Sequence, residues 1–305
     1  MGKYILKRVI LSVVTLWLIA TITFMLMFLV PGGPFLAEKA PSESTLKALN
    51  AKYGLDKPKI VQYKNYMIKF LQGDMGLSIK QRGRTVKQII NSGFKVSARV
   101  GGLAILVAVC IGIPLGSIAA LNRGKWLDQV IIVISTCGIA VPSFVVSTVL
   151  LIIFSLKLGW LPTYGLSSPL HYIMPVIALS FYPTAYIARL MRSSMLDVLG
   201  QDYMRTAKAK GLSQFKMLFK HALRNAVLPV VTYLGPLLAY TLTGSFVVEK
   251  IFTIPGLGNE FISSIVNRDY PMIMGTTIFL AALLITMNLL VDIAYKIIDP
   301  RIRFK

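Results

Sequence analysis

The sequence predicts an all-α integral membrane protein with six transmembrane helices and a helical extracytoplasmic insert between spans 1 and 2. Three observations predict it. Of 305 residues, 55% are hydrophobic and only 15% are charged, where a soluble domain carries about 25% charged residues. The mean hydropathy is +0.68. The apolar residues also gather in six runs of the length a bilayer demands, about 20 residues of helix each. The net charge of +21 does not point to nucleic acid, because the basic residues are scattered through loops around the apolar runs and no soluble basic domain carries them. Cys110 and Cys137 both sit inside apolar runs and read as small core residues rather than a disulfide or metal pair.

The runs lie near residues 9–30, 100–121, 130–156, 172–190, 227–248 and 272–298. The first follows Lys3, Lys7 and Arg8 as a signal peptide would. It is too long for one, and no small-residue cleavage site precedes Pro31-Gly32-Gly33-Pro34, so it reads as an uncleaved span. Basic residues fill the amino terminus, the loop with Arg123 and Lys125, the stretch from Arg189 to Arg224, and the tail with Arg301, Arg303 and Lys305. All four share one side if both termini are cytoplasmic. The external segment 31–97 is also lysine-rich, but loops of about 60 residues translocate largely regardless of charge.

Within that insert, Ser42 is placed to cap a helix stopping at Gly54, with Leu46, Leu49 and Tyr53 on one face. Pro58 opens a second helix whose stripe is Ile60, Tyr63, Met67, Phe70 and Leu71, ending at Gly73. The expected organisation is an amino-terminal stub and first span over 1–30, the insert over 31–97, and a core over 98–305 that includes a cytoplasmic loop over 191–228. Glycine and proline inside spans (Gly112, Pro114, Gly116, Pro142, Pro175, Pro183, Gly235, Pro236) suit close helix packing or kinks.

The cytoplasmic loop is the most informative stretch. A short helical piece ends at Gly211 and a second begins at Ser213, with Phe215, Leu218, Phe219, Ala222 and Leu223 on one side and Lys216, Lys220 and Arg224 on the other. Two readings fit this pattern: a docking surface for a partner, or a solvated basic loop that obeys the positive-inside rule. No zinc-protease, serine-hydrolase or nucleotide-binding-loop motif occurs in the chain, so any ATP is hydrolysed by another chain. Asp128 and Asp292 lie near span ends, within reach of the interface. None of the acids sits at mid-membrane, where a proton-coupled carrier keeps them. Nothing supports an enzyme.

The segment Asp202-Tyr203-Met204-Arg205-Thr206-Ala207-Lys208-Ala209-Lys210-Gly211-Leu212, followed by His221-Ala222-Leu223-Arg224-Asn225-Ala226-Val227-Leu228-Pro229, resembles the cytoplasmic loop of permease subunits of ATP-binding-cassette importers. Arg205-Thr206-Ala207 holds the place of that family's Glu-Ala-Ala triplet. Leu223-Arg224 stands where its Leu-Pro is expected, with Pro229 matching a further proline downstream. Both departures are the form similar to the peptide-transport branch. The resemblance to the first permease of oligopeptide and dipeptide importers runs nearly end to end. It covers the opening Tyr4-Ile5-Leu6-Lys7-Arg8, then Tyr53 to Pro58, Val61-Gln62-Tyr63, Gly73 to Ser78, Gly159 to Gly165, Val248 to Phe252 and Pro255 to Gly258.

The resemblance implies the fold of a type I ABC importer permease in a bacterial cytoplasmic (inner) membrane. It implies as partners a second, different permease, two ABC ATPase subunits that bind ATP and Mg, an extracytoplasmic substrate-binding protein, membrane lipid and a peptide substrate. No cofactor, metal or nucleic acid is expected on this chain. It assigns the ATPase contact to Asp202, Tyr203, Arg205, Thr206, Ala207, Lys208, Ala209, Gly211 and Leu212, and docking of the binding protein to Tyr164, Pro255, Gly256, Leu257 and Gly258. Import of nickel or a metal chelate is the alternative within the family; a stand-alone ion-coupled carrier is the alternative outside it.

Overall fold

A computed structural model describes residues 2–29, 32–35, 42–213, 216–242 and 244–298. The described residues are mostly helical and contain no β-strand, only an isolated bridge between Leu77 and Thr85. Five helical stretches are long and apolar enough to cross a membrane: Leu6–Leu29, Val86–Leu121, Leu170–Leu199, Leu228–Ile251 and Tyr270–Leu290. A bent pair of helices gives a sixth. The chain divides into two compact units, Met1–Lys95 with Pro255–Thr286, and Val96–Ile254 with Met287–Lys305. The expected segments 1–30 and 31–97 thus fall almost wholly in one unit, and the expected core is shared between both.

The first unit is built on α1 (Gly2–Leu29), α2 (Glu43–Tyr53), α3 (Lys59–Leu71), the start of α4 (Val86–Leu121), α12 (Leu257–Val266) and most of α13 (Tyr270–Ile298). Insert helix α2 forms as the caps dictate. The Ser42 hydroxyl accepts the Thr45 N–H, and Gly54 turns to φ +66°, where only glycine sits without strain. In α3, Tyr63, Met67 and Phe70 pack with Tyr66 against Ala20, Phe24 and Met27 of α1 and Met274 and Ile278 of α13. The rest of the expected stripe differs: Ile60 and Leu71 lie exposed, because the face that meets α1 is set by Tyr66 instead. Buried Asp269 ties the far end of the insert down. It accepts the Ser78 hydroxyl and the backbone N–H groups of Ile79 and Lys80, both at 3.1 Å.

The second unit holds the rest of α4, α5 (Trp126–Ala140), α6 (Ser143–Leu150), α7 (Leu170–Leu199), α8 (Asp202–Ala209), α9 (Leu223–Ala226), α10 (Leu228–Leu242) and α11 (Phe246–Ile251). Here α4 and α7 approach closely over Gly112 and Gly116. A Cβ on Gly112 would lie 2.8 Å from the Ile187 side chain, and one on Gly116 would meet the Ala188 carbonyl. This small-residue contact lets two membrane helices approach backbone to backbone. Gly138 of α5 meets Ala185 of α7 in the same way.

Four expectations are corrected. The run 130–156 is not one straight span. It is α5, then α6 continued by a π-helix (Leu151–Lys157), bent by 101° at the break. Pro142 causes the break: it donates no N–H, and it holds Val141 in an extended conformation. The last twelve residues of the expected insert, 86–97, belong to the helix of the second span, because α4 starts at Val86. Its charged Lys87 and Lys95 dilute the hydropathy, while Ile89, Ile90 and Gly93 are buried. The fifth run is interrupted after Leu242: Gly244 has φ +90°, and Ser245 caps α11 afresh through the Val248 N–H. Finally, Cys110 and Cys137 are exposed on their helices rather than buried.

Candidate coupling surface

The loop after α7 folds as a short helix, a glycine break and a second helical piece. Asp202 opens α8, where a negative charge suits the positive end of the helix dipole. The helix places its residues on two faces. Met204 and Ala207 are 4% and 6% exposed, and Met204 enters the core cluster with Met191, Met195, Ala222 and Ala226. Asp202, Tyr203, Arg205, Thr206 and Ala209 are exposed on the other face. The expected contact residue Ala207 is therefore corrected: it anchors the helix inward. Lys208 lies in α8, but its side chain falls outside the described residues.

Gly211 ends the helix at φ +72°, with no atom within 4 Å of where its Cβ would be. The Leu212 N–H returns to the Ala207 carbonyl at 3.4 Å, the six-to-one bond of a Schellman terminus. Leu212 is half-buried. The glycine is thus required by backbone conformation alone, not by space.

The second piece departs from expectation. Met217–Ala222 is a π-helix, whose extra residue per turn breaks the 3.6-residue register. Ala222 is fully buried, Leu218 and Leu223 pack against the core, and Phe219 turns outward. Phe215 lies outside the described residues. Lys216, Lys220 and Arg224 are exposed, as the pattern predicts.

Two polar contacts escaped the sequence reading. The Asn225 amide donates to the Tyr203 hydroxyl at 2.9 Å, tying α8 to α9. Asp128, in the first turn of α5, is buried, and Arg192 of α7 donates to it through Nε at 2.6 Å and Nη2 at 2.8 Å. The Gly124 N–H completes the site at 2.9 Å. Such a two-pronged pair fixes both helices in one geometry, so α5 and α7 are braced about two turns before α7 ends at Leu199. The signal was present: a solitary acid at a span end, and one arginine among several in the loop. Their pairing needs the fold. The Asp202–Arg205 pair, by contrast, is 3.6 Å long and exposed, and contributes little.

Of the five residues expected at the other end, Tyr164 is 69% exposed, on a loop held by the Gly165 N–H to the Phe252 carbonyl at 2.9 Å. Pro255 is exposed too. Gly256, Leu257 and Gly258 are buried, a correction with a simple cause: α4 packs on them, with the Leu257 backbone 3.1 Å from a Cβ built on Gly93.

Residues 112–304 match the family model "Binding-protein-dependent transport system inner membrane component", and residues 1–100 match the model of its amino-terminal region. The chain belongs to this family. Curated relatives match throughout its length. A dipeptide transport system permease protein of Bacillus subtilis is 48% identical, covering 99% of this chain and 98% of the relative. An oligopeptide transport system permease protein of Haemophilus influenzae is 42% identical over all of both chains. Among solved structures, the MetNI methionine ABC transporter in inward-facing conformations contains a chain that aligns with a TM-score of 0.58 at 17% identity, covering 71% of this chain and 98% of that one. The inner membrane component therefore has the fold of a type I ABC importer permease. It is a multi-pass membrane protein and a transport subunit.

Proposed function

We propose that the chain is the first permease of an ATP-driven importer of dipeptides or oligopeptides. It pairs with a second, different permease to enclose the translocation path. Two ABC ATPases bind beneath and hold ATP and Mg; an extracytoplasmic binding protein delivers the peptide. Both termini are cytoplasmic, which puts α8 on the ATPase side and Tyr164 and Pro255 on the side of the binding protein. The observation that carries the reading is the full-length identity to permeases named for dipeptide and oligopeptide transport.

The shape of α8 supports the mechanism. Its exposed face (Asp202, Tyr203, Arg205, Thr206, Ala209, then Gly211) is presented to the ATPase, while Met204 carries any displacement into the core beneath α7. ATP binding draws the ATPases together and moves α8, and the Asp128–Arg192 brace makes α5 and α7 follow as a body. The path then opens outward, and hydrolysis returns it. Purification of the chain in mild detergent, with identification of co-purifying subunits and an ATPase assay, tests the reading. A second permease with two ATPases and peptide-stimulated hydrolysis is the expected result. The chain recovered alone, moving solute in liposomes without ATP, would overturn it.

A further inference from the structure

The spans of the second unit carry an aromatic, hydroxyl-bearing line at the edge of their core. On α7, Tyr182, Tyr186, Arg189, Ser193 and Asp197 follow at intervals of four, three, four and four, which is one face of a helix. The opposite face holds the buried Ile187, Ala188, Met191 and Met195. Tyr182 and Tyr186 stack with ring centroids 6.1 Å apart, and Tyr186 meets Tyr233 of α10 at 4.4 Å. Tyr240, seven residues on along α10, is 71% exposed on the same face as Tyr233.

Depth decides what this line does. Tyrosines at the two membrane interfaces form belts that need no further role. Tyr182 is not there: it follows Leu170 by twelve residues in a thirty-residue helix, about 18 Å along the axis and close to mid-membrane. A polar stripe at that depth faces a bundle interior or water, not lipid.

We infer that Tyr182, Tyr186 and Tyr233 line the translocation path and carry the peptide backbone from the middle of the membrane toward the Leu228 end of α10. The inference rests on the peptide reading above and extends it to the residues that touch cargo. A phenol hydroxyl donates to a peptide carbonyl and accepts from a peptide N–H, so the line recognises what every peptide shares. The ring faces accommodate apolar side chains of any shape. None of the three carries a charge to trap a peptide terminus, so the bound peptide is held weakly enough to leave.

The test uses the full complex with its binding protein in proteoliposomes, with dialanine and tetra-alanine as cargo. The variant carrying Tyr182→Phe, Tyr186→Phe and Tyr233→Phe keeps the packing and loses three hydroxyls. Its transport of both peptides is expected to fall about tenfold at an unchanged amount of assembled complex. In a background with Cys110→Ala and Cys137→Ala, Tyr182→Cys and Tyr186→Cys are expected to react with a membrane-impermeant maleimide in the assembled complex. Transport of the phenylalanine variant at the parental rate overturns the inference, and so does failure of both cysteines to react, which would mean that the stripe is sealed against the second permease. If the parental complex moves neither peptide, the peptide reading fails instead, and the labelling still decides whether the stripe faces an aqueous path.

Discussion

Two short helices, α2 of the insert and α8 of the loop after α7, are written in nearly the same local code and are seated differently. Each opens with an acid in its first turn, each is amphipathic, and each ends at a glycine with positive φ, Gly54 at +66° and Gly211 at +72°. Both close with a six-to-one backbone bond, from Leu55 to Asn50 and from Leu212 to Ala207. The difference lies in what they bury. No residue of α2 is buried, whereas α8 buries both Met204 and Ala207 and plants Met204 in the main core of its unit. A helix that only rests on its neighbours can shift without moving them. One that is anchored transmits force in both directions. Capping alone therefore makes a helix, and anchoring makes it a lever.

Breaking the brace beneath the lever has the largest expected effect. Arg192→Ala strands a buried carboxylate and is expected to cost about 3 kcal/mol, read as a fall in melting temperature of the detergent-purified complex. Asp128→Ala leaves an arginine whose side chain is 24% exposed and can reach water, so its cost is smaller. Equal losses in the two variants would mean that the pair is not the brace. Next comes the anchor itself. Met204→Ala is expected to cost about 2 kcal/mol and to lower transport per ATP hydrolysed, whereas Leu49→Ala, on the half-buried face of α2, leaves that ratio unchanged. A Leu49 variant that uncouples as strongly would erase the distinction between the two helices.

How much of this was legible in the sequence follows the same division. The caps at Ser42, Gly54 and Gly211 were readable, because a side-chain cap and a left-handed glycine are decided within a few residues. Six apolar runs were readable for the same reason. What failed depended on distant partners. Phe219 and Ala222 fall on one stripe at α-helical spacing, but a π turn rotates Phe219 away while Ala222 stays buried. Gly256-Leu257-Gly258 looks like an exposed turn until Gly93, more than 160 residues earlier, is found packed on it. Pro142 was visible, yet how far it bends the chain is set by what α5 and α6 pack against, which is α7.

The two terminating glycines sharpen the comparison further. Gly211→Pro cannot adopt φ +72° and drives Lys210 out of the helical region, so the α8 terminus unravels. Insertion and assembly are expected to persist while ATP hydrolysis no longer drives transport. Gly54→Pro breaks the same motif in α2 and is expected to leave the coupling ratio intact. A Gly211→Pro complex that transports normally would show that the lever lies elsewhere.

The smallest effect is the most local. Ser42→Ala removes the hydroxyl that accepts the Thr45 N–H at 3.3 Å and costs about 1 kcal/mol of helix stability. Because α2 buries nothing, that loss is expected to stay within the insert: faster amide exchange over residues 43–53, and no change in the melting temperature of the complex or in transport. If the melting temperature fell with the cap, α2 would be anchored to something beyond its half-buried face, and the contrast with α8 would be one of degree.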